Sequence, residues 1–476
     1  MQRKTKIVAT LGPATASDEK IARLIKVGVN VVRLNFSHGT AQEHIQRAKT
    51  VREMAEKLNM PVGILCDLQG PKIRIGKFEH GKVTLKNGDL FVLDADCPLG
   101  NQQRVGLDYV NLPQEVKEGS VLLLDDGRIL LEVNRINGNQ IYCVVTAGGE
   151  LLNNKGINLQ GGGLAAEALT MKDLDDIKTA VEMEADYIAI SFPKDAKDVL
   201  LAKKHIQKAG GTASIVAKIE RAEAIENLEA IVDVSEAIMV ARGDLGVEVG
   251  DAAIPGLQKR IIRLARAKNK LVITATQMME SMINSPIPTR AEVSDVANAV
   301  LDGTDAVMLS AETASGHYPV ESVQAMDRVC KEAEKEYESL HHIERRAHLH
   351  HRIDEAVAAA AVFTARHYDV KAIVALTTSG NSAQWLSRAD CSVPIYALSP
   401  DVIARRKLTL HRNVFPFPIL QQNRSRDQIF QDIESVLLGS TLVVAGDEVL
   451  VTFGEPFGTL GGTNSMKIVK IGAPQS

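Results

Sequence analysis

Three charged residues near the middle of the chain have the types and spacing needed for chemistry on a negatively charged substrate. Lys218 and Glu220 stand two residues apart in the apolar run SIVAKIE, so both side chains point the same way if this run is a strand. Asp244 follows the next apolar run, in VARGDLG. Mg²⁺ is commonly held by one or two carboxylates, with waters and substrate oxygens completing its shell. The pattern predicts a Mg²⁺ site at Glu220 and Asp244, with a lysine beside it to stabilise developing negative charge.

The same residues also allow a purely structural interpretation. Glu220 could pair with Arg221, and surface pairs of this kind are common. Asp244 could pair with Arg242 in the same way. Lys218 and Glu220 could form an internal ion pair. Two carboxylates at neighbouring strand ends favour the metal site, provided that the fold brings them together.

A second polar group lies near the amino terminus. Arg33, Asn35 and Ser37 alternate along VVRLNFSHG, and the arginine could clamp a phosphate. The segment RGDLG supplies backbone N–H groups at a glycine turn before a helix, which suits a carboxylate. Together these segments predict a substrate that carries both a phosphate and a carboxylate.

These residues need a scaffold that collects strand ends on one side. Short apolar runs rich in β-branched residues alternate with helix-length amphipathic segments, a pattern typical of β-α units around a parallel sheet. The predicted strands cover residues 6–10, 30–36, 62–68, 186–192, 215–220, 237–242, 271–276 and 306–311. Eight units predict an α/β fold of the (β/α)₈ TIM-barrel type, in which strand-end residues form the active site. The remaining strand ends contribute Asp67, Ser191, Thr276, Ser310 and Glu312.

The barrel pattern is interrupted once and ends before the chain does. After the third strand, alternating strand patterns flank Asn87-Gly88 and further glycine turns, which predicts an inserted β-barrel. A long charged helix precedes a new α/β pattern near the carboxyl terminus. The predicted domains are a catalytic barrel (residues 1–69 and 167–344), an inserted β-barrel (70–166) and an open α/β domain (345–476).

Composition narrows the class of protein. A chain of 476 residues with 45% hydrophobic content can form two or three domains, each with its own core. The net charge is −4 with dispersed basic residues, so we expect a small-molecule substrate and no nucleic-acid partner. Five widely spaced cysteines favour reduced thiols. The amino terminus fits neither a signal peptide nor a membrane span, so we expect a cytoplasmic enzyme without a membrane partner.

Six segments resemble the pyruvate kinase family, in the family's order and spacing. They are VVRLNFSHG, CDLQGPKIRIG, IVAKIERAEAI, MVARGDLGVE, TATQMMESM and DVANAVLDGTDAVMLSAET. The resemblance implies phosphoryl transfer from phosphoenolpyruvate to ADP, giving pyruvate and ATP in the last step of glycolysis. It also implies Mg²⁺ as the metal, with Mn²⁺ as an alternative, and an allosterically regulated homotetramer.

The resemblance also assigns roles to individual residues. Glu220 and Asp244 would bind Mg²⁺, and Lys218 would stabilise the transition state and the enolate. Arg33 would contact the phosphate. The pyruvate portion would be held by Gly243, Asp244 and Thr276, with Thr276 near the enolate face where a proton arrives through water. The residues that would bind the nucleotide are Asn35, Ser37, His38, Arg74 and Lys155. The insertion would then be a lid that closes over ADP and excludes water.

One departure from the family pattern concerns the monovalent cation. Many members have Thr-Lys-Gly-Pro-Glu where this chain has Leu-Gln-Gly-Pro-Lys, ending at Lys72. Members with Glu at that place typically need K⁺, and members with Lys typically do not, because the ammonium replaces the cation. Asn35, Ser37 and Asp67 still match the family's K⁺ ligands. The resemblance nevertheless implies K⁺-independent activity through Lys72.

The last predicted domain carries a candidate effector loop in LTTSGNSA. Hydroxyls and N–H groups at a strand-to-helix turn suit a phosphate, although such a run is also an ordinary helix N-cap. The family binds a phosphorylated activator at the matching loop, here Thr377, Thr378, Ser379, Gly380 and Ser382, opposite residues 458–464. Asn381 leaves the activator open between a sugar monophosphate, a bisphosphate and AMP.

Two other functions fit parts of the sequence. Barrels with a Glu–Asp Mg²⁺ pair also cleave carbon–carbon bonds, and Lys218 could form a Schiff base in such a lyase or aldolase. The insertion and Lys155 would have no task in that enzyme. A non-enzymatic sensor would use only the last domain, yet every residue expected for catalysis is present.

Overall fold

Strands and helices alternate along most of the chain. The computed structural model describes residues 2–340, 351–420, 425–457 and 462–472. The strands are β1 Lys6–Thr10, β2 Val31–Asn35, β3 Gly63–Asp67, β4 Lys82–Leu85, β5 Leu90–Asp94, β6 Arg104–Val105, β7 Val121–Leu124, β8 Ile129–Asn137, β9 Gln140–Ala147, β10 Gly149–Leu152, β11 Ile157–Leu159, β12 Tyr187–Ile190, β13 Ser214–Ile219, β14 Ala237–Ala241, β15 Leu271–Ala275, β16 Ala306–Leu309, β17 Ala372–Leu376, β18 Ile395–Ser399, β19 Val414–Pro418, β20 Glu448–Gly454 and β21 Thr463–Lys470.

The helices connect these strands. They are α1 Asp18–Lys26, α2 Ala41–Lys57, α3 Leu112–Glu115, α4 Met171–Glu182, α5 Ala196–Lys208, α6 Ala222–Glu226, α7 Leu228–Val234, α8 Arg242–Val249, α9 Ile254–Ala267, α10 Arg290–Leu301, α11 Ala311–Ala314, α12 Pro319–Leu340, α13 Ile353–His367, α14 Asn381–Arg388, α15 Val402–Leu408 and α16 Arg426–Gly439. Single 3₁₀ turns cover Pro13–Thr15, Asp251–Ala253 and Glu280–Ile283.

Eight parallel strands close into a barrel, as predicted. Their order is β1-β16-β15-β14-β13-β12-β3-β2, so the three strands before the insertion join the five that follow it. Each predicted strand is present within a few residues of its predicted bounds. The strands are apolar because side chains on both of their faces are buried, one face in the barrel interior and the other under helices. The pairing Asn35↔Asp67 places the ends of β2 and β3 side by side.

Helix packing fixes the position of the strand ends. Helix α9 covers the barrel with Ile261, Ile262 and Ala265, all fully buried. Burying a side chain of isoleucine size stabilises the fold by about 1.5–3 kcal/mol, and many such residues contribute here. Helix α4 starts with a capping box between Thr170 and Asp173. The carboxyl ends of the strands are therefore held on a rigid frame.

The insertion after β3 is all-β apart from the short helix α3, as predicted, but its strands do not form one closed barrel. Strand β4 pairs with β10, whereas the other six strands form a sheet of order β11-β7-β8-β9-β5-β6. The Asn87-Gly88 turn joins β4 and β5 without pairing them, with Gly88 at a φ of 89°. Both sheets nevertheless enclose one core that includes Leu85, Phe91 and Leu151.

The last five strands form an open sheet of order β19-β18-β17-β20-β21, with β21 antiparallel. This confirms the predicted α/β fold near the carboxyl terminus. The sheet docks against the amino-terminal end of the barrel, where Lys6 Nζ donates to the Val414 carbonyl at 2.6 Å. Tyr187 Oη donates to the Lys407 carbonyl at 2.6 Å at the same end. The predicted boundary at residues 344 and 345 lies outside the described residues.

Among the residues that the structure describes, no helix has the length and apolar character required to cross a membrane.

Candidate active site

Charged side chains gather at the carboxyl ends of the barrel strands. Lys218 lies in β13, and Glu220 follows the last residue of that strand. Asp67 ends β3. Asp244 lies in the first turn of α8, which directly follows β14, the neighbour of β13. The fold thus places the predicted lysine and the carboxylates on one end of the barrel.

Lys218 is the centre of a buried ion-pair network. Its Nζ lies 2.9 Å from Glu220 Oε1 and 3.3 Å from Asp67 Oδ1. It also donates to Ser191 Oγ at 2.8 Å. Arg33 Nε donates to Asp67 Oδ2 at 2.7 Å. Lys218 and Glu220 therefore point the same way, as predicted, and the internal ion pair that the sequence left open does form.

The pKa values of the two carboxyl groups in this network are shifted in opposite directions. Burial alone would raise the pKa of Asp67, but Lys218 and Arg33 outweigh burial and hold it below its ordinary value. Burial raises the pKa of Glu220, and the neighbouring Asp244 adds to the rise against the opposing effect of Lys218. The pKa of Lys218 is raised because Asp67 and Glu220 outweigh its burial, so its ammonium keeps its proton. Glu220 is thus a carboxylate that additional positive charge would stabilise.

Asp244 pairs with a lysine from the segment that leads into the insertion. Lys72 Nζ lies 2.9 Å from Asp244 Oδ1, and this contact raises the pKa of Lys72 against the opposing effect of burial. Arg242 Nη1 instead lies 2.6 Å from Asp295 Oδ1. Arg221 donates to a backbone carbonyl of the insertion at 2.6 Å. The interpretation in which each carboxylate pairs with its neighbouring arginine is therefore wrong, because both arginines point to other partners.

Thr276 and Gly243 are joined directly. The Gly243 N–H donates to Thr276 Oγ1 at 2.8 Å, and that hydroxyl donates to the Ala275 carbonyl at 2.6 Å. Thr276 has a φ of 68°, a left-handed conformation that is costly for a β-branched residue and typical of functional sites. Helix α8 already begins at Arg242, so RGDLG forms its first turns and not a turn before it. Of the backbone N–H groups predicted to face a carboxylate, that of Gly243 is therefore bonded to the threonine hydroxyl.

The predicted nucleotide residues of the barrel form the loop after β2. Asn35 Oδ1 accepts from the Ser37 N–H at 3.1 Å. The His38 carbonyl is bonded to His44 Nε2 at 2.9 Å, and the His44 ring stacks on Phe36 at 4.3 Å between centroids. These contacts fix the loop directly after the carboxyl end of β2.

The two predicted nucleotide residues of the insertion lie close to each other. The backbone of Arg74 forms an isolated antiparallel β-bridge with Gly156, the residue after Lys155. Lys155 Nζ lies 2.6 Å from Asp125 Oδ1. A Cβ built on Gly156 would lie 3.0 Å from Lys72 Cε, so this part of the insertion borders the lysine that reaches Asp244. The structure brings the insertion group to Lys72, and the loop after β2 forms a separate group.

The candidate effector loop lies between β17 and α14. The Gly380 N–H donates to Thr377 Oγ1 at 2.9 Å, and no side chain caps the start of α14. The ordinary N-cap interpretation therefore does not account for the hydroxyls of Thr378 and Ser379. Ser382 Oγ is bonded to Thr463 Oγ1, which joins this loop to the end of the predicted facing segment. Residues 458–461 of that segment lie outside the described residues.

Several contacts of the site were not predicted from the sequence. Asp125 pairs with Lys155, and the signal for a polar turn at this place was the Asp-Asp-Gly run that follows β7. Asp173 accepts from the Gly70 N–H at 3.0 Å in addition to capping α4. The Phe192 N–H donates to Glu220 Oε2 at 2.9 Å. Contacts with backbone N–H groups cannot be predicted from residue type, because every residue except proline has this donor.

Two family models match the chain. The one described as "Pyruvate kinase, barrel domain" matches residues 2–323, and the one described as "Pyruvate kinase, alpha/beta domain" matches residues 355–469. The chain is 49% identical to the pyruvate kinase II of Salmonella typhimurium, over 98% of this chain and 99% of that protein. It is 49% identical to the pyruvate kinase of Buchnera aphidicola subsp. Baizongia pistaciae, with the same coverage. It is 50% identical to the pyruvate kinase of Haemophilus influenzae, over 95% of this chain and 96% of that protein.

Proposed function

The chain belongs to the pyruvate kinase family and transfers the phosphoryl group of phosphoenolpyruvate to ADP, and we propose that the charged cluster at the carboxyl end of the barrel carries out this reaction. The observation that carries the proposal is the contact of Lys218 with Glu220 and Asp67, next to the pair of Lys72 and Asp244. This arrangement concentrates cations and carboxylates where a phosphorylated acid and a divalent cation would meet.

The family generally uses Mg²⁺, and we propose Glu220 and Asp244 as its ligands in this chain. Two carboxylates are a common protein contribution to a Mg²⁺ shell. The raised pKa of Glu220 supports the proposal, because a cation would relieve the repulsion between the two carboxylates. Mn²⁺ takes the same oxygen ligands and would replace Mg²⁺. The bound metal supplies positive charge to the oxygens of the transferring group.

Lys218 and Arg33 would bind the phosphoryl group of phosphoenolpyruvate. The bond between phosphorus and the enol oxygen breaks as phosphorus bonds to a β-phosphate oxygen of ADP, which leaves the enolate of pyruvate. The Lys218 ammonium, protonated at neutral pH, stabilises the charge on that oxygen. The enolate then takes a proton at its methylene carbon. Because Thr276 Oγ1 already donates to the Ala275 carbonyl, we propose that it orients the water that delivers this proton.

We propose that Asn35, Ser37 and His38 of the barrel act with Arg74 and Lys155 of the insertion to bind ADP, and that the insertion is a lid. Gly156, next to Lys155, lies close to Lys72, which pairs with Asp244; this contact between the insertion and the proposed metal site supports the lid assignment.

We also propose that activity is independent of K⁺. Lys72 supports this, because its ammonium lies 2.9 Å from Asp244 and supplies a fixed positive charge at the proposed metal site.

We propose the open α/β domain as the site of a phosphorylated activator, at Thr377, Thr378, Ser379, Gly380 and Ser382. The uncapped start of α14 supports this. From the same family assignment we also propose a homotetramer and a cytoplasmic location. Titration of the enzyme with ribose 5-phosphate, fructose 1,6-bisphosphate and AMP tests the site, and Ser382→Ala is expected to weaken whichever activation is seen. Activation that is unchanged in this variant would contradict the assignment.

The test of the central proposal is a coupled assay of ADP-dependent pyruvate formation. Lys218→Met is expected to lower kcat by about a hundredfold to a thousandfold, because the charge that stabilises the enolate is lost. Lys203→Met is the control, since Lys203 forms a 2.6 Å ion pair with Glu236 on the outside of the barrel. Equal rates in the two variants would remove the mechanism.

The lyase or aldolase alternative requires a neutral Lys218 amine. The raised pKa of Lys218 opposes that form. Borohydride reduction in the presence of a keto acid is therefore expected to leave Lys218 unmodified, and a trapped adduct at this lysine would favour the alternative.

A further inference from the structure

The end of β12 contacts both Lys218 and Glu220. Ser191 Oγ accepts a hydrogen bond from Lys218 Nζ at 2.8 Å. The next residue, Phe192, donates its backbone N–H to Glu220 Oε2 at 2.9 Å. Ser191 is only 2% exposed, so solvent has little access to its hydroxyl. Two consecutive residues thus fix the lysine and the carboxylate relative to each other.

The backbone at this point is held in an unusual conformation. Phe192 has a φ of 57°, which is rare for a bulky residue and costs free energy unless the surroundings impose it. The residue is nevertheless 8% exposed and accommodated by its neighbours. The conformation turns the Phe192 N–H towards Glu220 directly after Ser191 faces Lys218. Such strain is typical of places where a structure orients functional groups.

The segment that enters the insertion holds Ser191 from the other side. Ser191 Oγ donates its own proton to the Leu68 carbonyl at 2.8 Å. Its role as acceptor from Lys218 is therefore fixed, because the hydroxyl proton is already used. Gly70 packs on the same residue: a Cβ at Gly70, whose φ is 66°, would lie 2.7 Å from Ser191 Cβ. The chain entering the lid and the lysine are thus joined through one hydroxyl.

We propose that Ser191 is a positioning residue, which fixes the Lys218 ammonium against the transferring phosphoryl group and connects it to the entry of the insertion at Leu68 and Gly70. The inference rests on the proposed role of Lys218 in catalysis. Lys218 keeps its ion pairs with Glu220 and Asp67 when the hydroxyl is removed, so its charge stays while its position loosens. Misplacing a charged group affects the transition state more than substrate binding.

The first test compares Ser191→Ala with Ser235→Ala. Ser235 is a matched control, because it is fully buried and its Oγ donates to the Ile231 carbonyl at 2.7 Å, away from the strand ends. Ser191→Ala is expected to lower kcat by about tenfold to a hundredfold, as for a lost hydrogen bond to a charged group, with the KM for phosphoenolpyruvate changed by less than about threefold. The melting temperatures of the two variants are expected to agree. A kcat equal to that of Ser235→Ala, or a loss confined to KM or to melting temperature, would overturn the inference.

The second test repeats the change in the Lys218→Met background. If Ser191 acts through Lys218, then Ser191→Ala has no further effect on kcat once the ammonium is absent, whereas independent roles give additive losses. The same variants distinguish failure of the proposed catalytic role of Lys218 from failure of the positioning role of Ser191. A wild-type rate in Lys218→Met would refute the proposed function, and an inactive Lys218→Met with an unaffected Ser191→Ala would refute only the positioning role.

The contact with the insertion is tested with a pair of glycines. Gly70→Ala would push on Ser191 and is expected to lower kcat with little change in KM for phosphoenolpyruvate. Gly81→Ala is the control, because Gly81 also has a positive φ, 78°, but a Cβ there would meet nothing within 4 Å. Both variants carry a similar backbone strain. Equal kcat values in the two would show that the entry of the insertion does not act on Lys218 through Ser191.

Discussion

Replacing Lys72 is expected to make the enzyme depend on K⁺. The Lys72 ammonium lies 2.9 Å from Asp244, and each side chain is between a fifth and a quarter exposed. A hydrogen bond to a charged group in such a setting contributes about 1.5–3 kcal/mol. Lys72→Met should therefore lower kcat/KM by about tenfold to 150-fold in buffer with tetramethylammonium as the monovalent cation. Lys72→Glu should lower it further, because a carboxylate beside Asp244 adds repulsion.

Potassium should restore much of the lost activity in these variants. If the ammonium replaces K⁺ as proposed, its removal would leave the cation to Asn35, Ser37 and Asp67, the residues that match the family's K⁺ ligands, and Lys72→Glu would add a further carboxylate. The measurement is a titration of kcat/KM with K⁺ at constant ionic strength in the wild type, Lys72→Met and Lys72→Glu. Lys82→Met is the control, since Lys82 forms a 2.6 Å but solvent-exposed pair with Glu150 in the same insertion.

Two results would refute the reasoning about Lys72. A many-fold loss of wild-type activity in tetramethylammonium would show that the ammonium does not replace K⁺. Unchanged activity of Lys72→Met without K⁺ would show that the contact with Asp244 has no role in turnover.

Three further changes test other parts of the structure. Lys155→Ala should raise the KM for ADP or lower kcat, and the lid assignment fails if steady-state kinetics show both unchanged. Asp173→Ala should lower the free energy of unfolding by about 1–3 kcal/mol in urea, because Asp173 is fully buried and the N–H groups of Gly70 and Thr170 lose their acceptor; an unchanged midpoint would contradict this. Burial raises the pKa of the Glu248 carboxyl from 4.5 to about 7. Between these two pH values the carboxyl is protonated in the folded state and ionised in the unfolded state, so the free energy of unfolding falls as the pH rises. Glu248→Gln should remove roughly 3 kcal/mol of that fall between pH 4.5 and 8, and identical pH profiles of unfolding would refute the assignment.

The fold of the barrel and the identity of its strand-end residues could be predicted because they depend on local patterns. Each of the eight strands is a short apolar run, since both faces of a parallel barrel strand are buried. Lys218 and Glu220 share a face because strand side chains alternate, and this needs no tertiary information. The α/β pattern near the carboxyl terminus was likewise predicted from local patterns.

The division of the insertion into two sheets could not be predicted in this way. Alternating runs show where strands lie but not which strands pair, and the Asn87-Gly88 turn looks the same whether or not its flanking strands pair with each other. The first turn of α8 was also misjudged, and the partner of its Gly243 N–H, Thr276, is distant in sequence.

The sequence by itself determined the reaction class, the barrel and the charged residues that gather at its strand ends. Tertiary structure alone decided the partners of those residues: Asp244 with Lys72, Lys218 with Asp67, and the start of the insertion with Ser191. The physical reason is the separation along the chain of the residues that interact. Strand and helix patterns follow from interactions between residues a few positions apart, whereas ion pairs and hydrogen bonds form between side chains and backbone groups that only the packed chain brings into contact.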